Sequence, residues 1–155
     1  MSSVSTSQQV IHRSDYQPPQ CSVDSVNLTI AIYDDFTQVT GVFAISPLSA
    51  KGGNITLYGG ETLQFHAMEI NDTPYHPDDS DLANGRIDLI IEKPSVVMIT
   101  GRIYPDQNTA LEGLYRSNGM YCTQCEPEGF RRIIWYPDHP DILSIFTTRI
   151  EADAA

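Results

Sequence analysis

Apolar and polar residues alternate along most of the chain. In VNLTIAIY, Val26, Leu28, Ile30 and Ile32 fall on one side and Asn27 and Thr29 on the other, the period of two that marks a half-buried strand. After the polar break at Asp34 and Asp35, Val39, Gly41, Phe43 and Ile45 repeat the alternation, which predicts the return strand of a hairpin or meander. Ile87, Leu89 and Ile91 alternate in RIDLIIE, and Val97, Ile99 and Ile103 in VVMITGRIY, with Pro94 and Ser95 marking a turn between them. In ETLQFHAMEIN the phase slips, because Leu63 and Phe65 are odd whereas Met68 and Ile70 are even. A bulge or bend is expected there.

Turn signals separate these runs at short intervals: GG at 52 and 59, NDTP at 71, PDDSD at 77 and NG at 84. No window keeps a helical period. The pattern predicts an all-β domain built as an antiparallel sandwich or curved sheet, with helical turns only near Glu128 to Arg132 and in DILSIF after Pro140. Residues 1–15 are rich in Ser, Thr and Gln and read as a flexible tail, so a single folded domain is expected over residues 16–155.

Composition narrows the partners. With 155 residues and 41% hydrophobic content, the chain can bury one sizeable core. A formal net charge of −11 argues against nucleic acid and anionic membranes, whose recognition needs clustered Lys and Arg. No apolar stretch approaches the roughly 20 residues of a membrane helix, and no leader-like apolar run opens the chain. Three cysteines are a sparse, odd set that fits a reducing compartment, so a cytoplasmic location is expected. The sequons at Asn27, Asn54 and Asn71 each fall where strand or turn chemistry explains them.

The stretch YCTQCEPEGFRR, residues 121 to 132, carries the candidate chemistry. A closed zinc site needs four ligands, and neither a second CxxC nor a suitably spaced His pair accompanies Cys122 and Cys125. A redox CxxC usually opens a helix, and here a strand pattern surrounds it. The cysteines therefore read as small buried or semi-buried hydrophobes. If residues 121–126 are extended, Cys122, Gln124 and Glu126 share one face and Thr123 and Cys125 the other, so an amide and a carboxylate project side by side. Arg131 and Arg132 read as ion-pair partners of Glu126, Glu128 or Asp138, and Asp138-His139-Pro140-Asp141 as a rigid turn.

The run NTALEGLYRSNGMYCTQCEPEGFRR, continued by IIWYPDHPDILSIFTTRIEAD and preceded by weaker similarity at HRSDYQPP and VNLTIAI, resembles the N-terminal domain of the bacterial M1 (gluzincin) zinc aminopeptidases. Gln124, Glu126, Pro127, Arg131, Asp138, Pro140 and Asp141 form the spaced set that carries the likeness; Pro137 departs from it. The resemblance implies a saddle-like β-sheet domain that packs on a catalytic domain and lends one loop to its active site. It further implies that Glu126 binds the free α-amino group of a peptide substrate and that Gln124 lines the same pocket. In the leukotriene-hydrolase branch Gln replaces that Glu, so Glu126 favours the plain aminopeptidase branch.

The family's HExxH and GxMEN motifs do not occur in this chain, and His12, His66, His76 and His139 bear no HExxH relationship. The resemblance thus implies zinc in the full-length enzyme, no catalytic or metal residue in this chain, and no peptidase activity from it alone. The alternative is a stand-alone, non-catalytic β-sandwich binding module. Tyr115, Met120, Tyr121, Phe130 and Trp135 are expected to form part of a docking face for the catalytic domain, through which isolated chains could self-associate, and Trp135, the single tryptophan, is expected in the core or at that interface.

Overall fold

The computed structural model describes residues 12–153. Most of the expected N-terminal tail, residues 1–11, lies outside them; Arg13–Asp15 form one exposed 3-10 turn. Ten strands follow: β1 (Cys21–Ile32), β2 (Thr37–Pro47), β3 (Gly53–Tyr58), β4 (Gln64–Ile70), β5 (Thr73–Pro74), β6 (Arg86–Ile91), β7 (Ser95–Ile103), β8 (Gly113–Ser117), β9 (Met120–Gln124) and β10 (Ile145–Glu151). A six-stranded sheet has the order β10-β1-β2-β7-β4-β5. The pairs β3-β6 and β8-β9 form two small ribbons.

The alternating runs become these strands with the expected faces inward. In β2, Val39, Phe43 and Ile45 are buried, and in β6 so are Ile87, Leu89 and Ile91. The phase slip in ETLQFHAMEIN is a bulge, where the β4–β7 register shifts between Phe65 and Ala67. In β1 a second bulge between Val23 and Ser25 leaves Asp24 unpaired in the ladder. Asp24 accepts hydrogen bonds from Ser22 (2.8 Å) and from Ser46 on β2 (2.6 Å), and both hold its carboxyl below the usual carboxylate range. At the NDTP turn, Asn71 adopts φ 51° and its side chain accepts from the Val96 amide at 2.9 Å, local chemistry that explains an Asn there.

The turn around Pro94 and Ser95 carries the chain from the small sheet of β6 to the large sheet of β7. Two expectations are corrected. DILSIF makes no helical turn, since Ile145 enters β10, where the β-branched Ile145, Thr147, Thr148 and Ile150 suit a strand. That strand pairs with β1 in parallel, from Ser25 opposite Ile145 to Ala31 opposite Glu151, so one ladder of the sheet is not antiparallel. One short α-helix, α1 (Asp79–Ala83), sits where PDDSD reads as a turn, and the 3-10 turn Phe130–Arg132 matches the first expected helical position.

One core joins the sheets. Val23, Val26, Val39, Phe43 and Ile45 of the large sheet cluster with Ile55, Leu57, Ile87 and Leu89 of the β3-β6 ribbon and with Ile133 to Tyr136. Each such side chain contributes about 1.5–3 kcal/mol by leaving water. Trp135, at 2% exposure, fills the ground beside Gly59, where an added Cβ would come within 2.6 Å of the indole. The expected docking face therefore loses Trp135 to the core, while Met120 and Tyr121 remain exposed on the β8-β9 ribbon.

Candidate functional site

The segment after β9 is held from both sides. Strand β9 pairs with β8 as far as Gly113 opposite Gln124, which fixes the direction in which Gln124 leaves the ribbon. The chain then reverses in a turn closed by the Gly129 amide donating to the Glu126 carbonyl at 2.8 Å. Pro127 presets the first bend of this turn, and Glu128 takes φ 72°, a left-handed value that favours glycine. Beyond it, the Gly60 amide donates to the Arg131 carbonyl at 2.7 Å, and Tyr58 and Tyr136 exchange backbone hydrogen bonds of 2.9 and 3.0 Å. The loop is thereby fastened to the end of β3.

Charges within the segment are mostly paired. The Arg131 guanidinium donates to Asp138 at 3.1 Å and to the Asp138 carbonyl at 3.0 Å, lies 3.6 Å from Glu128, and stacks over the Tyr58 ring at 4.7 Å. The Arg131 amide also donates to Asp138 at 3.1 Å. Arg132 pairs with Glu112 at 2.7 Å, a partner twenty positions away that local reading of the sequence does not single out. Asp138-His139-Pro140-Asp141 is a turn, tightened by the His139 amide donating to the Pro137 carbonyl at 2.7 Å.

Glu126 stands apart from this pairing. Its carboxylate accepts one hydrogen bond, from the Gln124 amide at 3.4 Å, and among the described residues no Lys or Arg is bonded to it. The two side chains meet as alternation implies, although the strand itself stops at Gln124. Both line a cleft of about 590 Å³ with Gly60, Glu61, Glu112 and Arg132. Glu126 also borders a second hollow of about 630 Å³, shared with Phe130, Asp138 and His139.

All three cysteines are free thiols: Cys21 is buried and Cys122 half-buried, as small hydrophobes should be. Cys125 departs from that expectation, because the strand has ended and the turn carries it to the surface. Partial burial of its thiol, and then the charge of Asp138, push its pKa up, opposite to what a reactive thiolate requires. Among the described residues, no three His, Cys, Asp or Glu side chains converge on a point that could hold a metal. Nor is any described helix long and apolar enough to cross a membrane.

No family profile matches the chain. Aminopeptidase N of Escherichia coli is 38% identical over 145 residues, 94% of this chain and 16% of that protein. The chain is homologous to the N-terminal region of the M1 aminopeptidases. Aminopeptidase N of Caulobacter vibrioides is 33% identical over 147 residues, again 94% of the chain but 17% of the relative. In three dimensions, 88% of the chain superposes on 16% of Legionella pneumophila aminopeptidase A, solved with aspartic acid, with a TM-score of 0.70 and 25% identity. An M1 zinc metallopeptidase of Deinococcus radiodurans shares the fold at TM-score 0.66 and 14% identity. The chain thus spans about one-sixth of the length of the aminopeptidases N it matches.

Proposed function

We propose that the chain serves as the N-terminal domain of a zinc aminopeptidase that removes N-terminal residues from peptides. On this reading it holds the substrate's free α-amino group with Glu126, assisted by Gln124, and packs on a catalytic domain. The observation that carries the reading is the pairing pattern: Arg131 and Arg132 bond to Asp138 and Glu112, which leaves the Glu126 carboxylate at the cleft with only a neutral amide. A peptide's terminal amine, with a pKa of about 7.7–8.0, is largely cationic at neutral pH and can supply the missing charge. A charge-assisted hydrogen bond of this type contributes about 1.5–3 kcal/mol. Gln124 orients the carboxylate, since its Nε2 donates to one oxygen and leaves the other for the amine.

With the amine pinned, only the first peptide bond falls at a fixed distance from the site, which accounts for the exopeptidase outcome by positioning. Zinc in such an enzyme activates water, and on this reading its ligands lie on the catalytic domain, whose HExxH motif does not occur in this chain. A cytoplasmic setting belongs to the same proposal and is supported by the three free thiols.

The test uses the protein expressed from the reading frame that contains this chain, assayed on aminoacyl and N-acetylated aminoacyl substrates with and without a zinc chelator. Chelator-sensitive cleavage of the free-amine substrate alone, with kcat/KM falling about ten- to a hundredfold in Glu126→Gln, is the expected result. Unchanged kinetics in Glu126→Gln would return Glu126 to a structural role. Absence of any hydrolysis would favour a stand-alone binding module.

A further inference from the structure

Glu126 stands in a short span between two anchors. Upstream, Gln124 closes the β8-β9 ladder opposite Gly113, and that end of the ribbon is seated on Arg132, whose Cβ would lie 2.8 Å from a Cβ added at Gly113. Downstream, the Arg132 amide donates to the Gly129 carbonyl at 3.1 Å, the Ile133 amide donates to the Phe130 carbonyl at 2.9 Å, and Ile133 and Ile134 are buried in the core. Between the anchors, the backbone of Cys125 to Glu128 is held by the Gly129 amide donating to the Glu126 carbonyl at 2.8 Å. The contact of Gln124 with the Glu126 carboxylate, at 3.4 Å, can turn the carboxylate but is too long to fix the backbone that carries it. The place of Glu126 is therefore set by the turn itself.

The turn closes on a residue without a side chain. Pro127 presets φ at its second position, and Glu128 takes φ 72° at its third, where a turn of this kind usually has glycine. Gly129 has φ −87° and ψ −27°, values open to any residue, so backbone freedom does not explain a glycine there. Space does. A Cβ added at Gly129 would stand 3.0 Å from the Glu126 carbonyl oxygen, 3.1 Å from the Cys125 Cα and 3.3 Å from the Glu126 nitrogen. All three are main-chain atoms of the span that presents Glu126, and relieving the contacts takes a shift of a few tenths of an ångström. Gly129 is bonded to the anchored side, so the shift falls on Cys125 and Glu126.

We propose that Gly129 is a positioning residue for Glu126: its missing side chain lets the Cys125–Glu126 backbone close onto the turn, which sets where the carboxylate stands in the cleft. The inference rests on the reading of Glu126 as the group that holds the substrate's α-amino end. A carboxylate that fixes the distance from the amine to the first peptide bond tolerates little displacement, because productive geometry is confined to a fraction of an ångström. Gly129 touches no substrate in this account; it acts only through the backbone of Glu126.

A double-mutant cycle on the protein expressed from the reading frame that contains this chain tests it, with circular dichroism as the check on folding. Gly129→Ala should lower kcat/KM on a free-amine aminoacyl substrate by about three- to tenfold. In a Glu126→Gln background the same change should cost less than about twofold, because the carboxylate it misplaces is already gone. A general structural role would give the same loss in both backgrounds. If Gly129→Ala fails to fold, Pro127→Gly loosens the same turn without adding atoms, and it too should lower kcat/KM only where Glu126 is present. Equal losses in the two backgrounds, or no loss in either, would overturn the positioning role while Glu126→Gln alone still reports amine binding. If Glu126→Gln is itself without effect, the amine-binding reading falls and the role of Gly129 falls with it.

Discussion

Asp138 illustrates how much of the candidate site depends on one side chain outside it. Its carboxylate accepts both the Arg131 amide and the Arg131 guanidinium at 3.1 Å, and only 15% of its side chain is exposed. Removing it leaves the Arg131 amide without its acceptor and the guanidinium with only the backbone carbonyl at 138 and Glu128, so Asp138→Ala should destabilise the chain by about 1–3 kcal/mol in urea titrations. A loss much below that range would mean water replaces the carboxylate readily. The partnership of Arg131 with Asp138 and Glu128 is among those its charge suggests, whereas that of Arg132 with Glu112 is not. The acid nearest in sequence competes with every acid the fold brings near, and only the folded chain ranks them.

Among the elements, β1 and β2 are joined at the bulge by a polar clasp rather than by ladder bonds alone. Ser46 and Ser22 each donate to a different oxygen of Asp24, and both oxygens accept together only while the carboxyl is ionised, which is why its folded pKa is depressed. A depressed folded pKa means the contribution is present above the unfolded value, about 3.9, and is lost as pH falls through the lower folded value. Asp24→Asn should therefore lower the thermal midpoint at pH 7 and lose that difference as the pH is taken below about 3.9. The cost should stay below about 1 kcal/mol, since the clasp is exposed to solvent screening. A difference that persists unchanged in acid would count against the ionised clasp.

The molecule as a whole has one core, because the same cluster contains residues of the large sheet, the β3-β6 ribbon and the segment Ile133 to Tyr136. Unfolding should accordingly be a single transition, with fluorescence of Trp135 and far-ultraviolet circular dichroism losing signal together. Phe43→Ala, at a fully buried position in edge contact with Tyr136, should cost about 3–5 kcal/mol and shift both signals by the same amount. Two separated transitions would instead show that the ribbon and the large sheet are independent units.

What the sequence determined by itself is what neighbouring residues decide between them. The strands of VNLTIAIY and RIDLIIE, and the bulge betrayed by Phe65 and Met68 falling out of phase, follow from spacings of a few residues, over which strand geometry is rigid. What only the tertiary structure decided are pairings made across long stretches of chain. These include β10 laid parallel on β1, Tyr58 bonded to Tyr136, Arg132 turned to Glu112, and Trp135 withdrawn from the surface into the space that Gly59 leaves. Such contacts leave no periodic trace along the sequence, because each is chosen by which apolar surfaces the whole chain can bury together once the strands exist.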